Sequence, residues 1–442
     1  MLASGRTFRH NSDMPKPAPS DETSPPQRRI PRGSLRFERK RELILDAATK
    51  LINERGVKGM TFLEVAQSVN LNTTSVTYYF RLKEQLAAAV FEHTLTRLEG
   101  MVKEAGRESS PRKRVARFLQ LQFELRARVL LGRERALAIL SDMRALDQPV
   151  RVPLEKHYQA IFRSIRDFFG APEDDARKAL LTARAHMLTE VVFWLPVWLD
   201  HYSIGDFERV RGRLFELLSH GIARPGAPWV PQLTVNLEEA DDLSRDPGHA
   251  AFLRAATRLI NERGYRGASV DRIVAELNVT KGSFYHHLDA KDDLVFECFR
   301  RSYGRMSFAQ RLADKIGGDR WQRLSSTFAT LLNIQFAGEW PLLRTSALQA
   351  LPLNLRITVI ERSNRMALRF AGTLVDGIGE GSIRPVDPLI ASQIIMATLN
   401  TAYDIRGWAT KLSRDRAIAL YASTLARGLF DDATNSLPNS SD

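Results

Sequence analysis

The sequence contains a single cysteine, Cys298, so it cannot form an intrachain disulfide framework, and this usage fits a reducing cytosol. Long apolar runs are also absent. The longest, from Val191 to Leu199, is far shorter than the ~20 residues that a membrane helix needs. The N-terminus is polar and basic and lacks an apolar core segment, so no secretory signal is expected. Together these features predict a soluble cytoplasmic protein.

Acidic residues are the scarcer charge. The chain of 442 residues has 64 Lys and Arg against 51 Asp and Glu, which gives a net charge of +13. This excess favours an acidic partner, with nucleic acid first and an anionic membrane surface second. Residues 1–40 are basic, rich in proline and poor in large apolar side chains. We predict that they form a disordered arm, which either contacts nucleic acid or serves as a solubilising tail.

Signatures of enzymes and metal sites are missing. No HExxH, CxxC or GxSxG motif occurs, and Gly377–Gly381 has neither the preceding strand nor the Lys-Ser/Thr of a phosphate loop. His186 and Glu190 have the i, i+4 spacing of a metal pair, but a core histidine beside a carboxylate is the preferred interpretation. Cys298 falls on an apolar helix face as a small core residue. We therefore predict no enzymatic activity, no cofactor and no metal.

The sequence does contain an internal duplication. Residues 48–56, ATKLINERG, recur as residues 256–264, ATRLINERG, with one difference, between Lys50 and Arg258. The offset is 264 − 56 = 208 residues, and it continues without a gap to Leu86 and Leu294. A repeat of this length indicates a duplicated domain, because solenoid units span about 20–50 residues.

Each copy has the pattern of three helices in close succession. Residues 44–52 and 252–260 place apolar side chains on one helix face, and Gly56 and Gly264 follow where a left-handed C-cap needs glycine. Thr61 and Ser269 are predicted N-caps of the second helix. After a tight turn, a short third helix shows small polar residues opposite a narrow apolar stripe. This order suits a helix-turn-helix that enters the major groove, and a generic helical hairpin is the alternative.

These residues resemble the TetR-type transcriptional regulators, over about residues 41–100 and 248–308. In the second copy, Thr280 to Leu288 followed by Lys291 is similar to the family's recognition helix and the start of its fourth helix. The first copy departs from the pattern, with Thr74 at a preferred glycine and Thr77 at a tyrosine. The resemblance implies phosphate contacts from Tyr285 and Lys291. The full set of residues implied to contact DNA is Thr61, Thr73, Thr74, Ser75, Thr77, Tyr78, Tyr79 and Lys83 in the first copy, and Ser269, Thr280, Lys281, Gly282, Ser283, Tyr285, His286, His287 and Lys291 in the second.

The duplication and the helical periodicity, together with the resemblance, predict an organisation for the whole chain. We predict an all-α protein with helix-turn-helix domains at residues 41–100 and 248–308, each followed by a helical-bundle regulatory domain at residues 101–223 and 309–433. The Pro-rich acidic segment at residues 224–247 is expected to be an extended, solvated linker, and residues 434–442 form a tail. The family's regulatory domain dimerises and holds a small effector. Five aromatic residues are candidates for an apolar pocket, although core or interface packing is favoured for them: Phe193, Trp194, Trp198, Tyr403 and Trp408.

The predicted function is a sequence-specific DNA-binding transcriptional regulator, in the form of a repressor released by a ligand. Its partner is a double-stranded DNA operator, with which it associates at the nucleoid. The alternative is a ligand-sensing or protein-interaction module whose helix-turn-helix units no longer bind DNA, which Thr74 and Thr77 favour for the first copy. Because one chain holds two recognition helices, we expect the halves to pair as a monomeric pseudo-dimer. A homodimer of tandem chains is the alternative.

Overall fold

The computed structural model describes residues 32–232, 247–287, 290–338, 340–344, 348, 351 and 353–432. These residues fold into helices, and the single extended pairing among them is an isolated antiparallel bridge between Ala223 and Ile383. The prediction of an all-α protein is therefore confirmed. None of the helices in these ranges combines the length and the apolar character needed to cross a membrane.

The first half of the chain consists of helices joined by short connections. They are α1 (Arg32–Gly59), α2 (Phe62–Ser68), α3 (Thr73–Tyr79), α4 (Lys83–Gly106), α5 (Pro111–Leu130), α6 (Gln148–Arg166), α7 (Asp175–Trp198) and α8 (Phe207–His220). A 3-10 helix, η1 (Leu140–Ala145), lies between α5 and α6.

The second half repeats this order. Its helices are α9 (Pro247–Gly267), α10 (Val270–Glu276), α11 (Lys281–His287), α12 (Lys291–Asp314), α13 (Arg320–Ala337), α14 (Leu353–Gly379), α15 (Pro388–Thr401), α16 (Arg406–Ala409) and α17 (Arg414–Ala426). The boundaries predicted at residues 100 and 308 fall inside α4 and α12, so each of these continuous helices is shared by a helix-turn-helix unit and the bundle that follows it.

The start of α1 corrects the predicted arm. Residues 32–42 form a unit of their own, and the compact body begins at Leu43. The helix nevertheless begins at Arg32, so the disorder predicted for residues 32–40 was wrong. This stretch is rich in arginine, lysine and glutamate, which are good helix formers even where their side chains stay exposed. Residues 1–31 of the predicted arm lie outside the described residues.

The predicted glycine at the end of the first helix of each copy is confirmed. Gly56 and Gly264 both have a φ of 71°, in the left-handed region that favours glycine. Gly56 lies within α1 and Gly264 within α9. Each glycine ends one helical segment, and a short second segment follows it. The carbonyl groups that precede each glycine therefore lose their intrahelical partners.

The halves pack against each other through α7 and α8 of the first and α15 and α17 of the second. Their buried apolar side chains belong to one continuous core that runs through both halves. Polar contacts also cross the boundary: Arg213 pairs with Asp387 at 2.6 Å, and Asn400 donates to Glu190 at 3.2 Å. The duplicated sequence thus folds as two similar bundles with a shared interior.

The linker is partly ordered, which corrects the expectation of an extended, solvated connection for residues 224–232. The indole N–H of Trp321 donates to the carbonyl of Pro228 at 2.9 Å, and the rings of Trp229 and Trp321 lie 6.1 Å apart. The backbone N–H of Gln232 donates to Ser326 at 3.0 Å. Apolar burial of Trp229 on α13 outweighs the tendency of proline-rich chain to stay solvated. Residues 233–246 and the predicted tail, 434–442, lie outside the described residues.

Candidate nucleic-acid interface

The second copy builds its helix-turn-helix from two side-chain caps and one left-handed turn residue. Ser269 accepts the N–H of Arg272 at 3.3 Å and starts α10, which confirms this predicted cap. Asn278, with a φ of 55°, then turns the chain. Thr280 accepts the N–H of Ser283 at 3.3 Å at the start of α11. The fully buried ring of Phe284 packs edge-on against Phe252 and fixes which face of α11 points outward.

The first copy reaches the same geometry with different residues. Thr61 accepts the N–H of Glu64 at 3.2 Å, which confirms it as the cap of α2. Asn70 occupies the left-handed turn position with a φ of 53°. The cap of α3 is Asn72, whose carboxamide accepts the N–H of Ser75 at 2.7 Å. Burial of Val76 then orients the short helix in the way that Phe284 orients α11.

The structure places most of the predicted contact residues on the outward face of each helix-turn-helix. Tyr78 is 75% exposed and Tyr285 is 57% exposed, which are high values for aromatic residues in a folded domain. Exposed with them are Thr61, Thr73, Thr74, Thr280, Lys281, Gly282 and His286, whereas Ser75, Thr77, Tyr79, Lys83, Ser269, Ser283 and Lys291 are half-buried. The backbone of His287 ends α11, and its side chain lies outside the description.

Two predicted contact lysines have structural partners within their own units. The ammonium of Lys291 donates to the carbonyl of Tyr265 at 2.5 Å and lies 4.0 Å from the centre of the Tyr265 ring. In the first copy, Lys83 donates to the carbonyl of Lys58 at 3.0 Å. Each lysine thus fastens the start of the fourth helix to the end of the first. A phosphate contact would use the remaining donors of the ammonium group.

Lys281 carries the charge that distinguishes α11 from α3. Its ammonium pairs with Asp271 of α10 at 2.6 Å on the exposed surface. The hydrogen bond that Lys281 donates to Asp271 is the main cause that raises the pKa of Lys281 above its ordinary value, and the negative charge of that carboxylate is the second. The equivalent residue of the first copy is Thr73. Both outward surfaces therefore carry an exposed tyrosine, but that of α11 adds a cation, whereas that of α3 is rich in uncharged hydroxyl groups.

Gly282 supplies a separate indication of close approach. Its φ lies outside the left-handed region, and a Cβ added there would make only ordinary contact, 3.6 Å from the Thr280 hydroxyl oxygen. The fold therefore does not require glycine at this position. An exposed glycine at the start of a recognition helix leaves room for the backbone of a partner.

The five aromatic pocket candidates do not surround a common space. Trp194 donates from its indole N–H to Gln393 of the second half at 3.4 Å, and the Tyr403 hydroxyl donates to Glu262 at 3.3 Å. Trp198 is buried in the core, and Phe193 stays at the surface beside Tyr158. Trp408 packs against Phe336 and Tyr421. A small apolar cavity instead lies beneath the linker, and its lining includes Trp229, Trp321, Phe328 and Leu425.

A buried polar cluster was missed by the sequence reasoning. The Asn261 side chain donates to the carbonyl of Leu342 and accepts the N–H of Arg344, both at 2.9 Å. Asn53 does the same in the first half, with the carbonyl of Leu137 and the N–H of Ile139, both at 3.0 Å. The signal was available, because this asparagine is identical in the two copies. The repeat alone does not show that the side chain of this asparagine binds backbone groups.

Charged side chains lie near Asn261 in the second half. The guanidinium of Arg344, which is 6% exposed, binds Asp404 through its Nη1 at 2.7 Å and its Nη2 at 2.5 Å. Nearby on α7, burial raises the pKa of Glu190, and the loss of solvent lowers the pKa of His186 to about 4. The ring of His186 packs against Phe162 with centroids 4.4 Å apart and the ring planes tilted by 40°, a contact that fits a core histidine.

Comparison with known proteins was consistent with this geometry. The sequence model of the bacterial regulatory proteins of the tetR family matches residues 44–90 and 252–298, which are the two helix-turn-helix units and the start of the helix that follows each. Transposon Tn10 TetC protein of Escherichia coli is 30% identical over 86 residues, 19% of this chain and 43% of that protein. The HTH-type transcriptional repressor DhaR of Mycobacterium sp. (strain GP1) is 25% identical over 146 residues, 32% of this chain and 73% of that protein.

Among solved structures, AibR in complex with isovaleryl coenzyme A and operator DNA is similar to 40% of this chain and 98% of its own chain, at 18% identity and a TM-score of 0.33. The chain spans less than half of the TetC protein and about three quarters of DhaR. The two family matches are separated by the offset of the internal repeat, since 252 − 44 = 208. The chain therefore contains two segments, one in each half, that match the sequence model of the tetR family of bacterial regulatory proteins.

Proposed function

We propose that this protein is a DNA-binding transcriptional repressor that binds one asymmetric operator as a monomeric pseudo-dimer and leaves it when a small apolar effector binds. Each recognition helix, α3 and α11, would read one half-site in adjacent major grooves, about one helical turn apart. The contact surface would be the two sets of outward-facing residues, with Lys281 and Tyr285 in α11 and Thr74 and Tyr78 in α3.

One observation carries the pseudo-dimer. The backbone N–H of Ile222 donates to the carbonyl of Leu425 at 3.1 Å, and the N–H of Leu429 donates to the carbonyl of Leu218 at 2.7 Å. The two bonds are equivalent. Leu218 and Ile222 of the first half correspond to Leu425 and Leu429 of the second, because 425 − 218 and 429 − 222 both equal 207. Reciprocal contacts of this kind are the mark of a two-fold, self-complementary interface. This reciprocity supports the proposal that the two halves pair with each other within one chain.

The asymmetry of the operator follows from the recognition helices. The outward positions of α11 offer a cation, a glycine and an imidazole, whereas those of α3 offer hydroxyl groups and a tyrosine. Base edges in the major groove are discriminated by the donors and acceptors that face them, so two different helix surfaces select two different half-sites.

The mass of the protein in solution and its footprint on DNA test this proposal together. Light scattering at micromolar concentration is expected to give about 50 kDa, the mass of one chain. Selection from a library of random-sequence duplexes should yield a non-palindromic site protected as one footprint. A stable mass near 100 kDa with a palindromic site would overturn the pseudo-dimer. Absence of any enriched sequence would favour the alternative of an interaction module without DNA binding.

The effector part of the proposal has its own test. The regulatory domain of tetR-type proteins holds a small effector. A small apolar cavity lies beneath Trp229, and it would have to widen to admit such a ligand. A screen of small apolar molecules, read by release of the selected operator, is expected to identify a ligand that lowers operator affinity. A ligand that raises operator affinity would instead make the protein a corepressor-dependent regulator.

A further inference from the structure

Arginine side chains from each half reach the DNA-binding unit of the opposite half. In the second unit, the guanidinium Nη1 of Arg144, in η1 of the first half, donates to the backbone carbonyl of Asn261 in α9 at 2.9 Å. In the first unit, the Nη2 of Arg356, in α14 of the second half, donates to the backbone carbonyl of Glu54 in α1 at 3.3 Å. The accepting residues lie one position apart in the repeat, since Asn261 corresponds to Asn53.

Both accepting carbonyls lie at the end of a helical segment. Asn261 and Glu54 precede Gly264 and Gly56, whose left-handed φ interrupts the first helix of each copy. Carbonyl groups in the last turn of a helix lack intrahelical partners and carry the negative end of the helix dipole, so a cation there is stabilised. Each arginine therefore acts as a helix C-cap supplied from the other half of the chain.

Further hydrogen bonds hold Arg144 and the 3-10 helix that carries it. Arg144 also binds Asp404 of the second half through its Nη2 at 3.1 Å, and its own carbonyl accepts a hydrogen bond from Arg151. The 3-10 helix that carries Arg144 is tied to the first DNA-binding unit, because the Asp142 carboxylate accepts the N–H of Val57. A short rigid element thus joins α1 to α9, with one hydrogen-bonded contact on each side.

We infer that Arg144 and Arg356 are positioning residues that set the separation of the two recognition helices, and with it the half-site spacing of the operator. Two half-sites must coincide with the helical repeat of DNA, so a small rotation of either unit changes the spacing that both can read at once. Neither arginine lies in a helix-turn-helix, and neither needs to touch DNA to have this effect. The inference rests on the proposed binding of one operator by both units.

The test measures affinity as a function of half-site spacing. The probes are the duplex selected by the wild-type protein, the same duplex with two base pairs inserted or removed between the half-sites, and a duplex that keeps one half-site. The wild-type protein is expected to lose at least about tenfold in affinity on the altered spacings, because simultaneous engagement is lost. For the Arg144→Ala, Arg356→Ala double variant, that loss is expected to shrink to about threefold or less, with an unchanged affinity for the single half-site.

Two further variants keep the result interpretable. Arg213→Ala removes another ion pair between the halves, with Asp387, and this pair touches neither DNA-binding unit; its spacing profile is expected to match the wild-type profile. Arg144→Lys with Arg356→Lys keeps a cation at each helix end and should restore part of the selectivity, although lysine cannot reproduce a forked contact. If the alanine double variant does not fold, the lysine variant carries the comparison.

The outcomes separate the inference from the proposed function. A wild-type protein that binds the single half-site as tightly as the full duplex would remove the operator model itself. A wild-type protein that prefers one spacing, beside an alanine double variant with an identical preference, would overturn the role of the two arginines. A uniform drop in affinity at all spacings would also overturn it, because that pattern reports only general destabilisation.

Discussion

Gly221 lies directly against the backbone of Ala426 across the boundary between the halves, where a Cβ added to Gly221 would come within 2.2 Å of the Ala426 carbonyl oxygen. Gly428 occupies the corresponding position, and its added Cβ would come within 2.6 Å of the carbonyl oxygen of Ser219. Both glycines have positive φ, of 68° and 88°. The last turns of α8 and α17 can approach this closely because Gly221, directly after α8, and Gly428, two residues after the end of α17, have no side chain.

Replacing these glycines should weaken the pairing of the halves. Gly226 is a matched control, because its φ of 77° imposes the same backbone strain while a Cβ there would meet open space. Gly226→Ala is expected to lower the free energy of unfolding by about 1–2 kcal/mol from strain alone. Gly221→Ala and Gly428→Ala should each cost at least about 2 kcal/mol more, since the clash is with backbone. Urea unfolding measures the difference, and equal losses at all three positions would show that the contact is unimportant.

Exchange of the recognition helix should change the symmetry of the operator. The outward residues of α3 become those of α11 in a variant carrying Thr73→Lys, Thr74→Gly, Thr77→Tyr and Tyr78→His, while the buried Val76 is left unchanged so that the core stays intact. Selection from random duplexes should then yield a palindromic site, because both helices present the same groups to the groove. Recovery of the wild-type, non-palindromic site would mean that α3 does not read bases.

Lys281 and Lys291 should differ in role. We expect Lys281 to contact DNA and Lys291 to stabilise the fold as well. Lys281 is exposed at the start of α11, so Lys281→Ala is expected to reduce the slope of log K against log salt by about 1, the effect of losing one phosphate contact. Lys291 is engaged with the carbonyl and ring of Tyr265, so Lys291→Ala should also lower the melting temperature. An unchanged melting temperature for Lys291→Ala would indicate that Lys291 contributes only a phosphate contact and does not stabilise the fold.

Acidification should destabilise the protein through His186. Its pKa of about 4 in the fold lies below the ordinary value of 6.5, so between these values the unfolded chain binds a proton that the folded chain does not. Stability is therefore lost as the pH falls through this window, by up to about 1.4 kcal/mol per pH unit. His186→Gln removes this contribution, which a comparison of urea unfolding at pH 7 and pH 5 would detect. The raised pKa of Glu190 acts in the opposite direction and is present in both proteins. An identical pH dependence in the two proteins would contradict the burial of the imidazole.

The basic arm should contribute to operator affinity at low salt. Removal of residues 1–36 leaves the compact body, which begins at Leu43, intact, so the melting temperature should not change. Affinity should fall most at low ionic strength, where arginine contacts with phosphate are least screened. Removal of residues 433–442, which contain no lysine or arginine, is the matched control. Equal affinities of the two truncated proteins at about 50 mM salt would leave the arm as a solubilising tail.

Local features of the fold were within reach of the sequence. The caps at Thr61 and Ser269 and the glycines at positions 56 and 264 depend on neighbouring residues and on backbone preference, so they appear in the pattern of each copy. The duplication is visible as a repeated amino-acid sequence, and it predicts paired bundles without any knowledge of contacts. The helical start at Arg32 was missed because composition alone does not distinguish a solvated helix from a disordered charged segment.

Tertiary structure alone decided which of these features meet. Arg144 lies in a connection without a periodic pattern, and its partners in α9 and near α16 are more than 100 residues away in the chain. The sequence favoured core or interface packing over a pocket for the aromatic residues of α7 but named no partner, and only the packing of α7 on α15 placed Trp194 beside Gln393. Sequence patterns record preferences that act over one or two helical turns. The pairing of the halves, by contrast, is chosen by the summed burial of surfaces that are far apart in the chain, which no local pattern encodes.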